Sequence, residues 1–146
     1  MTRFDPPPTH EDAKLLLQLY EMRREPRMRD ARRWFAASFR ATTIDELVKL
    51  CPPGSEENAS YRMVTSYWEL VASFITGGVL NQELFFQSGR EILFCWTRIR
   101  ALVPHIRAQN RNPIEWANLE QVATAYIEWW DTHAPGAYDA FRDRIK

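Results

Sequence analysis

The sequence predicts an all-α protein, a compact multi-helix bundle of six to eight helices with one long central helix. Three observations lead there. Apolar residues return every three or four positions through most of the chain. Nine prolines and five glycines punctuate the gaps between these stretches. The two β-looking runs, Phe85-Phe86 and Ile92-Leu93-Phe94-Cys95-Trp96, lie inside longer helical periodicity.

The elements follow in order. Residues 1–8, with Pro6-Pro7-Pro8, read as an extended Pro-rich leader, and residues 9–146 as a single helical domain. Thr9 and Asp12 form a capping box for a helix from about His10 to Arg24, with Ala13, Leu16, Leu17 and Tyr20 on its apolar face. Pro26 opens the next helix, whose stripe is Met28, Ala31, Phe35 and Phe39. Thr43 and Glu46 cap a short helix that Cys51-Pro52-Pro53-Gly54 ends. Ser55 caps the central helix, about Glu56 to Thr76. That helix carries Tyr61, Val64, Trp68, Val71 and Ile75, with a second stripe of Met63, Tyr67, Leu70 and Phe74. Gly77-Gly78 terminates it. Asn81 caps the following helix, which Gly89 breaks or bends, and the helical face runs on to Pro104. Asn112-Pro113-Ile114-Glu115 reads as a helix start leading to about His133, and Ala137 to Ile145 as a last short helix.

Charge narrows the function classes. Lys and Arg total 19, matched by 19 acids, so no global field steers the chain to nucleic acid or an anionic membrane. The charges are nonetheless blocked. Residues 22–40 carry seven arginines against two acids, residues 96–113 four arginines and no acid, and residues 114–139 five acids with no Lys or Arg. These blocks either neutralise one another across the fold or leave a basic patch. The start of the chain has no apolar signal segment, and no stretch reaches the ~20 apolar residues of a membrane span, so the expected compartment is the cytoplasm. Two cysteines make no disulfide framework; Cys95 reads as a buried thiol and Cys51 as a partly exposed one.

Recognisable site motifs are missing. His10, His105 and His133 are isolated and no Glu-x-x-His element occurs, so no metal and no cofactor is expected. Nucleotide-binding glycine loops and a nucleophile elbow are absent. What remains is a set of candidate binding residues. Glu69 lies on a narrow polar strip beside Trp68 on the central helix, which is either a solvated strip, a buried Glu paired with an arginine such as Arg98, or a polar group lining a pocket. Trp129 and Trp130 point about 100° apart on one helix, so hiding both needs two flanking neighbours. Arg23, Arg24, Arg29 and Arg33, around Trp34 and Phe35, form a candidate phosphate-binding set.

The segments Tyr67-Trp68-Glu69-Leu70-Val71-Ala72 and Gly78-Val79-Leu80-Asn81-Gln82-Glu83-Leu84 resemble a group of small bacterial helical proteins classed as a domain of unknown function. So do Leu16-Leu17-Gln18-Leu19-Tyr20 and Met28-Arg29-Asp30-Ala31-Arg32. The resemblance spans residues 10 to 130 and singles out Trp68, Glu69 and Asn81, but implies no activity. Some of those relatives carry a membrane segment; none is legible here. The sequence therefore favours a non-catalytic helical module that binds a protein partner or itself, on the strength of its surplus of aromatic residues. The first alternative is a small-molecule or enzymatic pocket at Glu69. The second is nucleic-acid phosphate binding through residues 23–40, which the balanced charge disfavours.

Overall fold

A computed structural model describes residues 7–146. Of the proline-rich leader, residues 1–6 lie outside the described residues, and Pro7 and Pro8 are exposed and non-helical. Among the described residues the architecture is all-α. The helices are α1 (His10–Arg24), α2 (Pro26–Ser38), α3 (Ile44–Leu50), α4 (Glu56–Thr76), α5 (Gln82–Phe86), α6 (Glu91–Ile99), α7 (Val103–Asn110), α8 (Ala117–His133) and α9 (Ala137–Arg144). That is one more than the upper end of the expected number. The extra element comes from the stretch between Asn81 and Asn110, which divides at Gly89 and again after Arg100. No helix of the described residues is long and apolar enough to cross a membrane.

The capping residues act as their chemistry dictates. Thr9 and Asp12 close a reciprocal capping box on α1, and Thr43 and Glu46 do so on α3. Ser55 accepts from Asn58 N to start α4, and Gly78, at φ +78°, ends the turn that follows it. Gly89 is required by closeness: a Cβ there would sit 2.4 Å from the Phe85 ring, and that ring is itself buried against Phe86 and Tyr126. The chain therefore breaks between α5 and α6 where a side chain cannot fit.

The central position of α4 follows from its wide apolar arc. Tyr61, Val64, Trp68, Val71 and Ile75 are all buried, with Tyr67 and Ala72 beside them. α2 and α8 pack along it most extensively, and α6 closes the group by packing on α8 and α4. α1 lies on α2 and α5, and α9 lies on α8. Aromatic rings join the layers: Phe35 stacks on Phe39 at 4.7 Å, Phe39 on Tyr61 at 5.2 Å, and Phe86 on Tyr126 at 4.2 Å. Each such ring contributes roughly 1.5–3 kcal/mol through burial.

Several expectations need correction. The buried face of α1 is Asp12 and Leu19 with half-buried Leu15 and Leu16, rotated from the expected stripe, so Leu17 and Tyr20 are exposed. The cause is Asp12, which turns inward to accept from Asn81 N at 2.9 Å. Cys51, the C-cap residue of α3, is buried rather than partly exposed. The helix expected from Pro113 starts four residues later, at Ala117. Residues 112–116 instead form turns, with Trp116 at φ +55°, while Arg107 Nε donates to the Glu115 carbonyl at 2.8 Å.

Candidate cleft around Trp68

Helical spacing on α2 separates two faces. Met28, Ala31 and Phe35 turn inward, whereas Arg29, Arg32, Arg33 and Ala36 follow the i, i+3, i+4, i+7 row beside them. That row forms one wall of a cleft of about 410 Å³. The floor is Trp68 and Val64 from α4, and the far wall is Phe94, Cys95 and Glu91 from α6. A smaller cleft of about 130 Å³ meets Trp68 from the α1 side, where Leu16, Tyr20 and Phe85 line it with Arg23. Trp68 thus sits between two clefts while remaining 2% exposed.

The polar groups here are almost all donors. Arg32 crosses to α6 and engages Glu91 through Nε and Nη2, both at 2.6 Å, and its Nη1 donates to the Arg23 carbonyl at 3.1 Å. This fork-to-fork pair holds the α2 and α6 walls together. The Glu91 bond raises the Arg32 guanidinium above its ordinary value. Arg33 pairs with Asp30 at 3.2 Å on an exposed face, an interaction worth only ~0.3–0.5 kcal/mol. Among the described residues the exposed Arg29 has no acidic partner. Arg23 stacks over Tyr20 at 5.0 Å and over Trp68 at 5.6 Å, and its buried Nε has no hydrogen-bond partner among the described residues. Glu91 is the acidic side chain of the lining, and Arg32 neutralises it.

The sequence-nominated residues divide accordingly. Trp68, Arg23, Arg29 and Arg33 converge on these clefts. Arg24 lies outside them, exposed, 5.8 Å from the Tyr20 ring. Residues 23–40 therefore do not form one continuous basic stripe, since Arg23 and Arg32 turn inward.

Glu69 and Arg98 do not pair. Glu69 accepts from Leu119 N at 2.9 Å and from Asn118 Nδ2 at 2.8 Å, and Asn118 Oδ1 accepts from Thr76 at 2.7 Å. Leu119 stands in the first turn of α8, whose own cap residue, Trp116, offers no side-chain acceptor. Glu69 supplies that cap from another helix and meets the positive end of the α8 dipole. Glu69 also touches a wide groove of about 660 Å³ beside α3 and α7, at its polar edge. Arg98 is buried on the opposite side, donating to the carbonyls of Phe35, Ala36, Phe39 and Ile145.

Trp129 and Trp130 find the two neighbours that their divergence requires. Trp129 donates to Glu83 at 3.1 Å and packs on Phe86, while Trp130 packs on Tyr138 and Phe141 of α9. No tryptophan falls in the exposed class. The surface apolar groups are instead Leu17, Tyr20, Met22, Val48, Met63, Leu70, Val79 and Ile114. The tryptophans are thus buried or half-buried, while Tyr20 stays on the surface. Sequence reasoning missed Glu91 and Phe94 as cleft residues. Glu91 lies 59 positions from Arg32, and no local pattern signals that pairing.

A helical domain with a basic, aromatic-floored cleft between three helices is the class this geometry defines. The sequence profile described as Domain of unknown function (DUF4760) matches residues 8–129, and the chain belongs to that family. No curated protein and no solved structure matches the chain. Among the described residues no group of three or more His, Cys, Asp or Glu side chains is arranged to hold a metal ion.

Proposed function

We propose that the chain is a non-catalytic docking module that binds an acidic, apolar-bearing segment of a protein partner in the clefts around Trp68. The carrying observation is that the cleft lining offers donors without a protein acceptor: the buried Arg23 Nε and, among the described residues, the exposed Arg29, which has no acidic partner. Such a surface asks for carboxylate or carbonyl acceptors. Between the donors lie apolar walls from Phe35, Phe94, Leu16 and Phe85, which suit apolar side chains. Two adjoining, solvent-open clefts on either side of one indole favour an extended segment over a small molecule, which usually loses 70–90% of its surface in one cavity. The buried free thiols of Cys51 and Cys95 support action in the reducing cytoplasm.

The test is a fluorescence anisotropy titration with labelled ten-residue peptides in which Asp or Glu alternates with Leu or Phe. The full chain is expected to bind them in preference to peptides with Lys in the acidic positions. Arg29→Gln combined with Arg33→Gln weakens binding about tenfold, and added salt weakens it further. Equal affinity for acidic and basic peptides, or tighter binding of a single-stranded RNA of similar length, refutes the reading.

A further inference from the structure

The last carbonyls of α2 are served by two arginines from beyond the helix. Arg40 donates to the Ala37 carbonyl from the surface. Arg98 of α6 takes the others from inside: its Nη1 donates to the carbonyls of Phe39 at 2.7 Å, Ala36 at 3.2 Å and Phe35 at 3.3 Å. The cation also meets the negative end of the α2 dipole. Arg98 is only 9% exposed, yet the acceptors it engages are main-chain carbonyls.

The same side chain stands behind both walls of the larger Trp68 cleft. Phe35 and Ala36 belong to the α2 wall and Phe94 to the α6 wall. The Phe94 ring centre lies 4.5 Å from the Arg98 guanidinium and 6.4 Å from the Phe35 ring. Arg98 also reaches α9, because its Nε donates to the Ile145 carbonyl at 3.0 Å. Two further contacts tie α9 to α6. The hydroxyls of Tyr138 and Thr97 share a hydrogen bond of 2.9 Å, and the Phe141 ring lies 6.4 Å from that of Phe94.

α9 is lightly held. Tyr138 is its buried residue, and it packs chiefly on α8. Its Asp139–Arg142 ion pair is an exposed i, i+3 contact, which adds little. An element with so few buried contacts opens before the core does. When α9 leaves, Arg98 Nε loses its acceptor, and a buried donor left unpaired is costly. The guanidinium is a rigid plane, so turning Nε towards water swings Nη1 off the α2 carbonyls.

We propose that Arg98 is the positioning residue of the Trp68 cleft and that α9 governs the cleft through it. The inference rests on the docking role proposed above for that cleft. With α9 seated, Arg98 holds Phe94 against the α2 wall and a partner segment meets a formed cleft. With α9 released, the walls part and the segment is lost. By linkage, a bound segment holds α9 in place.

Cys95, on the α6 wall and 1% exposed, is the reporter. Cys51, at the end of α3, is the internal control. The test treats the full chain with a thiol reagent under native conditions, without peptide, and follows each cysteine by mass spectrometry. Phe141→Ala loosens α9, and Arg98→Lys keeps the charge but cannot span both sets of acceptors. Each should speed Cys95 modification about tenfold and leave Cys51 unchanged. Should Arg98→Lys fail to fold, Phe141→Ala alone decides. A merely structural loss exposes both thiols together, so equal acceleration of Cys51 and Cys95, or acceleration of neither, overturns the proposal. With the acidic-apolar peptides, the same variants should bind about tenfold more weakly, and peptide should slow hydrogen exchange of the α9 amides in the parent chain. Unchanged peptide affinity in a variant whose Cys95 has opened also overturns it. A parent chain that binds no such peptide overturns the docking reading alone, since the thiol comparison is made without peptide.

Discussion

Replacing Glu69 with alanine removes a helix cap that α8 cannot supply for itself. The Glu69 carboxylate bridges Leu119 N at 2.9 Å and Asn118 Nδ2 at 2.8 Å, and nothing on Trp116 substitutes for it. Loss of an N-terminal cap costs about 1 kcal/mol. The lost attraction between the carboxylate and the α8 dipole adds ~0.3–1 kcal/mol. The stranded Asn118 amide remains half-exposed and recovers water, so its further penalty is small. The expected total is ~1.5–2 kcal/mol, which for a domain of this size lowers Tm by about 4–8 °C. Glu69→Gln is milder, ~1 kcal/mol: one oxygen still accepts from Leu119 N, but its new amide faces the Asn118 amide donor. Thermal and urea denaturation followed by circular dichroism measure both variants. Hydrogen exchange adds a local reading, since the Leu119 amide should lose protection ahead of the α4 core. A Glu69→Ala chain as stable as the parent, or more stable, refutes the capping role and reopens Glu69 as a pocket residue.

Three further outcomes follow from the packing. Gly89→Ala places a methyl group against the buried Phe85 ring and is expected to cost ~1–3 kcal/mol, measured as a lower urea midpoint with an unchanged m-value. Asp12 accepts from Thr9 N and Asn81 N, and chiefly the Thr9 bond lowers its pKa below the ordinary carboxylate value. A depressed folded-state pKa contributes stability that is complete above the unfolded value near 3.8 and disappears as pH falls through the folded one. The stability gap between the parent and Asp12→Asn should therefore be widest at neutral pH and narrow below about pH 4. Burial pushes the Cys51 thiol up to about 11 and the enclosed Cys95 thiol further still. Both should resist a thiol reagent at pH 8 in the native state and react at once in denaturant.

Much of this architecture was legible because it is written locally. The boxes at Thr9 and Thr43, the cap at Ser55, the glycines after α4 and the α2 stripe are all settled within a turn or two of chain. What escaped was decided between distant elements. Local rules put a helix start at Asn112-Pro113. The Arg107 bond to the Glu115 carbonyl and the cap from Glu69 move it to Ala117. The face of α1 rotates because Asp12 caps a second helix start at Asn81, a service no periodicity can announce. The candidate site was half legible. Trp68, Arg29 and Arg33 were readable as an aromatic beside a basic segment, whereas Glu91 enters only through a contact across 59 residues. Arg98 was nominated as a partner for Glu69. Its real acceptors are main-chain carbonyls at the end of α2, which sequence does not distinguish from any others.

The docking role at the Trp68 clefts is tested most directly by nitrogen–proton NMR of the labelled full chain, titrated with an acidic-apolar peptide of the kind described. The Trp68 indole and the Arg23 and Arg29 side-chain signals should shift first and together, while those of Trp129 and Trp130 stay in place. Shifts confined to the exposed Met22, Met63 and Leu70 surface, or no shift at saturating peptide, would contradict it.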